Sequence, residues 1–209
     1  RFDPRAVTGA APGSAGVFAL AAIPARWALE RDAWSDAAAL RPTSSAFPYT
    51  EAMTYLARAI GGARTGNAER VRESVDTLSA IHARLVAARE AYWSEQAAIK
   101  QLSASAWLAF ARGRPDSAPP LMRQAATRED ATEKAAVTPG PLAPAREQLA
   151  DMLFELKRYA DALAEYRAAL TREPNRYRLL RGAMRAAAAA GETAVESEYR
   201  SQLSKLTGG

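Results

Sequence analysis

The stretch Leu142–Asn175, L-A-P-A-R-E-Q-L-A-D-M-L-F-E-L-K-R-Y-A-D-A-L-A-E-Y-R-A-A-L-T-R-E-P-N, constrains the fold more than any other part of the chain. It reads as two amphipathic helices joined by a tight turn. Leu149, Leu153 and Leu156 share one apolar stripe, and Tyr159, Leu163, Tyr166 and Leu170 share the next. Small Ala150 and Ala162 let the two helices approach closely, and Pro174 ends the unit. A lone helix–turn–helix of this length leaves apolar surface in water. It requires stacked neighbours of the same kind.

The rest of the chain supplies them. About a quarter of the 209 residues are alanine, and long windows rich in Ala, Arg and Glu favour helix on propensity alone. An all-α protein is expected, with room for about five to six units of this length.

Residues 1–14 are punctuated by Pro and Gly and form an irregular leader. A single helical repeat domain is expected over 15–209. Its first helix covers Ala15–Arg31 with Pro24 inside, and a second begins near Trp34 and stops at Arg41-Pro42. A third runs from Tyr49 to Arg64 and closes at Thr65-Gly66-Asn67, a helix-stop signal. The fourth, Ala68–Arg89, is about two turns longer than a standard repeat helix. The fifth spans Ala91–Arg112 and ends at Gly113. The sixth takes its first full turn at Pro119-Pro120. Residues 127–144, with Thr138-Pro139-Gly140-Pro141, are assigned to a loop. The opening stretch gives helices seven and eight, Arg176–Ala190 the ninth and Thr193–Leu206 the tenth. Units then fall near 18–48, 52–90, 91–127, 143–176 and 177–206.

The net charge of +5 comes from 28 basic and 23 acidic residues that are largely intermixed, as in Glu69–Arg72. Such spacing predicts a solvated, ion-paired helix surface, not a nucleic-acid face. With no cysteine, disulfides and thiolate metal sites are excluded. No apolar run reaches the ~18 residues that span a bilayer, and Ala15–Ile23 lacks the flanks of a secretory signal. Neither the cytoplasm nor the periplasm is excluded. Arg1 rather than Met stands first, which predicts a piece of a longer polypeptide.

The opening unit resembles a tetratricopeptide repeat through Leu149, Ala150, Leu153, Tyr159, Ala162, Tyr166, Ala169 and Pro174, with Arg146 where the first aromatic belongs. The other units match more weakly. In the last, Glu196 stands where the second helix carries a small residue, which suits a terminal cap. Over most of its length the chain also resembles the C-terminal half of an uncharacterised bacterial family of tetratricopeptide proteins. The resemblance rests on F-P-Y-T-E-A-M-T-Y-L-A-R-A-I-G-G-A-R-T-G-N, A-Y-W-S-E-Q and E-D-A-T-E-K-A-A-V-T-P-G-P-L-A-P-A-R-E. That family tends to carry His-Pro where this chain has Ala135-Ala136. The resemblance implies a right-handed α-solenoid of about five helix pairs and brings no established enzymatic activity to carry over.

In such a solenoid the first helix of each pair lines a concave groove. The candidates for partner binding are then Arg178, Arg181 and Arg185, with Glu147 and Asp151 (and Phe154 and Glu155) in the unit before, and Lys100 and Trp107 (with Phe110) in the third. The arginine stripe would take carboxylates of a bound peptide. The alternative, favoured for the charged side chains, is that the arginines pair with the Glu/Asp stripe beside them and fix two helices together. Trp107 and Phe110 suit core and groove equally.

Glu129, Asp130, Thr132, Glu133 and Lys134 form the one charge cluster outside the repeats. Acid–base catalysis would need two of its carboxylates in a cleft with separated pKa values, and a helix end or solvated loop is the more ordinary reading. His82, the only histidine, has no companion ligands for zinc and no nucleophile context. Gly61-Gly62 lacks the Lys-Ser/Thr of a phosphate loop and more simply permits a close helix crossing. No metal, cofactor or catalytic residue is expected. The function expected is a non-catalytic protein–protein interaction scaffold for a protein or peptide, without nucleic acid or membrane insertion. The alternative is a C-terminal regulatory or oligomerisation part whose activity lies upstream.

Overall fold

The computed structural model describes residues 14–132 and 141–208. It is all-α: among the described residues there are ten helices and no strand. They are α1 (Ser14–Glu30), α2 (Trp34–Ala39), α3 (Pro48–Arg64), α4 (Ala68–Ala87), α5 (Ala91–Ala111), α6 (Ala118–Asp130), α7 (Ala145–Glu155), α8 (Tyr159–Leu170), α9 (Tyr177–Ala190) and α10 (Thr193–Thr207). None is long and apolar enough to cross a membrane.

One local device stops six of the helices. After α1, α3, α4, α5, α7 and α9 a residue turns left-handed: Asp32, Gly66, Arg89, Gly113, Lys157 and Gly191. Its N–H returns to the carbonyl three residues back, and the next N–H to the carbonyl five back. In the last such turn these bonds are Gly191 N–H to Ala188 O at 3.2 Å and Glu192 N–H to Ala187 O at 2.9 Å. The pair satisfies carbonyls that the helix end would otherwise orphan. Glycine adopts this conformation without steric cost, whereas Asp32, Arg89 and Lys157 adopt it at some expense. The turns closing α1, α3, α5, α7 and α9 recur at intervals of 34, 47, 44 and 34 residues.

The chain gathers into two compact units. Of the described residues, the first holds 14–121 with 141–142, and the second holds 122–132 with 143–208. In the first, α3 touches α1, α2, α4 and α5. Eleven of its seventeen residues are buried, among them Met53, Leu56 and Ile60. Val71, Leu78, Ile81 and Leu85 of α4 complete that core, each large side chain contributing about 1.5–3 kcal/mol of burial. Asn67 caps α4 by accepting the Arg70 N–H at 3.0 Å. Gly61 lets the backbone of α2 lie directly on α3, since a Cβ there would come inside 3.0 Å of Ala38 N and the Trp34 carbonyl. The Arg64 guanidinium at the end of α3 sits 4.9 Å from the Trp34 ring centroid and 4.8 Å from that of Trp107, joining α2, α3 and α5. At the other end Tyr49 stacks on Trp93, rings 3.7 Å apart and 4° from parallel.

In the second unit α7, α8, α9 and α10 pack in sequence, and α7 also touches α9. Leu149, Met152, Leu153, Leu163, Tyr166, Leu179 and Leu180 make its core. Helix α10 buries no residue completely. The acidic run after Thr127 departs from expectation: α6 continues through Asp130, so residues 127–130 form its last turn. Glu133 and Lys134 lie outside the described residues.

Candidate functional site

The face shared by α7 and α9 carries five of the seven partner-binding candidates. Glu147 stands in the first turn of α7 and is 3% exposed. Arg178 stands in the first turn of α9 and is 9% exposed. Its Nε donates to Glu147 Oε1 at 2.8 Å, and its Nη2 reaches Asp151 Oδ2 at 3.3 Å. Arg176, just before α9, also donates to the Glu147 carboxylate. Tyr166 of α8 donates its hydroxyl to Asp151 Oδ1 at 2.5 Å. Burial pushes the Glu147 carboxyl above the ordinary carboxylate range, against the pull of Arg176 and Arg178. Burial, together with Asp151 and Glu147 nearby, drives the Tyr166 phenol far above its ordinary value.

These contacts divide the arginine stripe. Arg178 is spent on α7 and is a structural residue of the face, as are Glu147 and Asp151. Arg181 and Arg185 lie further along α9, the first half-buried and the second exposed. Arg181 lies over the ring of Tyr177, 5.9 Å from its centroid, and Tyr177 is 47% exposed. Arg185 lies over the half-buried ring of Phe154, 4.6 Å from its centroid, and forms no ion pair with any described residue.

The carboxylates at the end of α6 also serve packing within this unit. Glu129 Oε2 accepts the N–H of Ala145 at 2.6 Å, placing a negative charge on the N-terminus of α7. The Asp130 carboxylate accepts from Arg146 Nε at 3.0 Å and forms an ion pair with Arg172 at 3.4 Å, and Arg146 reaches on to Glu165 at 2.5 Å. Glu165 takes a further bond from Arg123 at 2.9 Å. Thr132 donates its hydroxyl to the Arg128 carbonyl at 2.8 Å. These groups tie α6 to α7 and α8.

The two candidates in the first unit behave differently from a groove. Trp107 is 1% exposed, held between Arg64 and Phe110, so it belongs to the core. Lys100 bonds back to its own helix at Gln96 O, 3.2 Å away. His82 is half-buried in the middle of α4. Among the described residues no three His, Cys, Asp or Glu side chains converge to hold a metal.

Sequence spacing alone did not single out Arg176 and Tyr166 as members of the buried network. Arg176 falls in a turn, and Tyr166 reads as a framework aromatic; only its hydroxyl, needing a partner if buried, signals more. No protein-family model, curated protein or solved structure matches the chain. What the α7–α9 face can do follows from its own chemistry.

Proposed function

We propose that this chain is a non-catalytic protein-interaction scaffold, a right-handed solenoid of about five tetratricopeptide-like helix pairs, whose α7–α9 face seats a peptide or partner protein. The observation that carries the reading is a contrast along one helix. Arg178 is sealed into the base of the face, whereas Arg185 is exposed, laid on Phe154, and without an ion partner among the described residues. A cation held in place on a ring and left to solvent is the ordinary anchor of an interface, where Arg and aromatic side chains dominate. The recurring left-handed turns support a repeat scaffold beneath it.

The test is a photo-crosslinking amino acid at exposed Ala188 on α9, with exposed Ala80 on α4 as control. Position-specific adducts from 188, lost in Arg181→Glu/Arg185→Glu, are the expected result. Equal adducts from both positions, or adducts indifferent to the two arginines, would overturn the assignment.

A further inference from the structure

We infer that α1 is a self-association surface: its exposed apolar stripe pairs two copies of this chain, antiparallel, about a two-fold axis at Ile23 and Pro24. This goes beyond the partner site on α7–α9 and does not depend on it. Of the six large apolar side chains left exposed among the described residues, three stand on α1. They are Leu20 at 47%, Ile23 at 67% and Trp27 at 53%. Their i, i+3, i+7 spacing sets them on one line, with exposed Pro24 beside Ile23. Ala22, Ala25, Ala28 and Leu29, on the other side of the helix, are buried, and α1 packs on α2 and α3. The stripe is what that packing leaves in water.

Charge decides the kind of partner and its direction. From Ser14 to Ala25 the helix carries no charged residue, in a chain of which 24% is charged. The stripe thus offers a foreign partner no ionic handle to fix its register. It does match itself. Leu20 and Trp27 stand equally far from the midpoint between Ile23 and Pro24, so a two-fold axis there lays Trp27 of each copy on Leu20 of the other. Exposed Arg31, at the end of the stripe, lies over the Trp27 ring, 5.3 Å from its centroid, and limits the rotamers that the contact must order. A parallel pair would set the two Arg31 side by side. The antiparallel pair holds them about 22 Å apart along the axis, beyond the screening length of about 8 Å. The four apolar side chains expose roughly 400 Å², a contact-sized patch for a single chain. Two such patches with their rims come to about 1,000 Å², the low end for specific interfaces, which makes the dimer reversible.

The test is the light-scattering mass of the full chain between about 1 and 300 µM. The mass should climb from one chain toward two. Ile23→Lys should weaken the association by about tenfold or more with circular dichroism unchanged, and added salt should not weaken it. The chain has no native cysteine, so crosslinking reads the register. Under copper–phenanthroline oxidation Ile23→Cys should crosslink to itself faster than exposed Ala80→Cys, and mixed Leu20→Cys and Trp27→Cys chains should crosslink to one another. One-chain mass over the whole range would overturn the inference and leave the α7–α9 reading intact. Monomers that instead bind phosphatidylcholine vesicles, and lose that binding in Ile23→Lys, would assign the stripe to a lipid surface. A dimer indifferent to Ile23→Lys, with Ile23→Cys no faster than Ala80→Cys, would overturn the assignment to α1. Ready self-crosslinking of Trp27→Cys would overturn the antiparallel direction.

Discussion

Gly182 and Tyr166 occupy one space between α9 and α8: a Cβ on Gly182 would fall well inside 3.0 Å of two carbons of the Tyr166 ring. The ring has little freedom to move aside, being 3% exposed with its hydroxyl fixed on Asp151. Gly182→Ala should therefore destabilise the second unit by about 1–3 kcal/mol, although alanine is the better helix former by about 1 kcal/mol. Urea denaturation measures it. An unchanged or raised midpoint would show that α8 and α9 are not held at this spacing.

The same tyrosine predicts an alkaline limit. Its phenol is raised by burial and by Asp151, so the folded chain holds that proton more tightly than the unfolded one. The resulting stability is complete below the unfolded value near 10 and is lost as pH rises above it, at up to about 1.4 kcal/mol per pH unit. Comparing wild type with Tyr166→Phe from pH 9 to 11 isolates the effect. The variant should be less stable at pH 9 and less steep above 10; parallel curves would contradict the buried bond.

Arg178→Met should cost about 3 kcal/mol, because it leaves Glu147 buried with one guanidinium fewer. The loss should shrink as pH falls into the acid range, because burial already favours the protonated Glu147 carboxyl, which needs less compensation. Adding Glu147→Gln should recover part of it. Strict additivity of the two substitutions in a double-mutant cycle would mean that the pair is not coupled.

Lys157 holds a left-handed conformation at φ 59° in the turn that Gly191 makes at φ 79°. Lys157→Gly should stabilise by about 0.5–1 kcal/mol, and Gly191→Ala should destabilise by about 1 kcal/mol. Thermal melting of the two variants gives opposite signs. Shifts of the same sign would contradict the common turn geometry.

Ser103 buries its hydroxyl in α5, 1% exposed, without a hydrogen-bond partner among the described residues. Ser103→Ala should therefore be neutral or stabilising by up to about 1 kcal/mol. Ser74, whose hydroxyl donates to Arg70 O at 2.9 Å, should show no such gain on the same change. A clear loss of stability in Ser103→Ala would reveal a partner.

Most helix boundaries were legible because the punctuation is local. Gly66, Gly113 and Gly191 announce left-handed stops, and Pro48 and Asn67 announce starts. The stretch after Thr127 was not legible in the same way. Thr127–Asp130 contains no helix breaker, and what holds it, Glu129 on Ala145 and Asp130 on Arg146, comes from residues about 16 positions away. Trp107 was ambiguous for a related reason. A stripe of aromatic side chains defines a helix face, and only the arrival of Arg64 from α3 makes that face interior.

The sequence by itself determined that this chain is helical, where its helices turn, and that arginines and carboxylates line the same sides of neighbouring helices. These follow from interactions within a few residues: propensity, periodicity and the left-handed turn. Tertiary structure alone decided which charges are spent. Arg178 and Arg185 are seven residues apart on one stripe and chemically identical, yet one is buried against Glu147 and the other lies on Phe154 facing water. The difference is set by where α7 meets α9, where Arg178 is desolvated and ion-paired and Arg185 stays solvated on its ring.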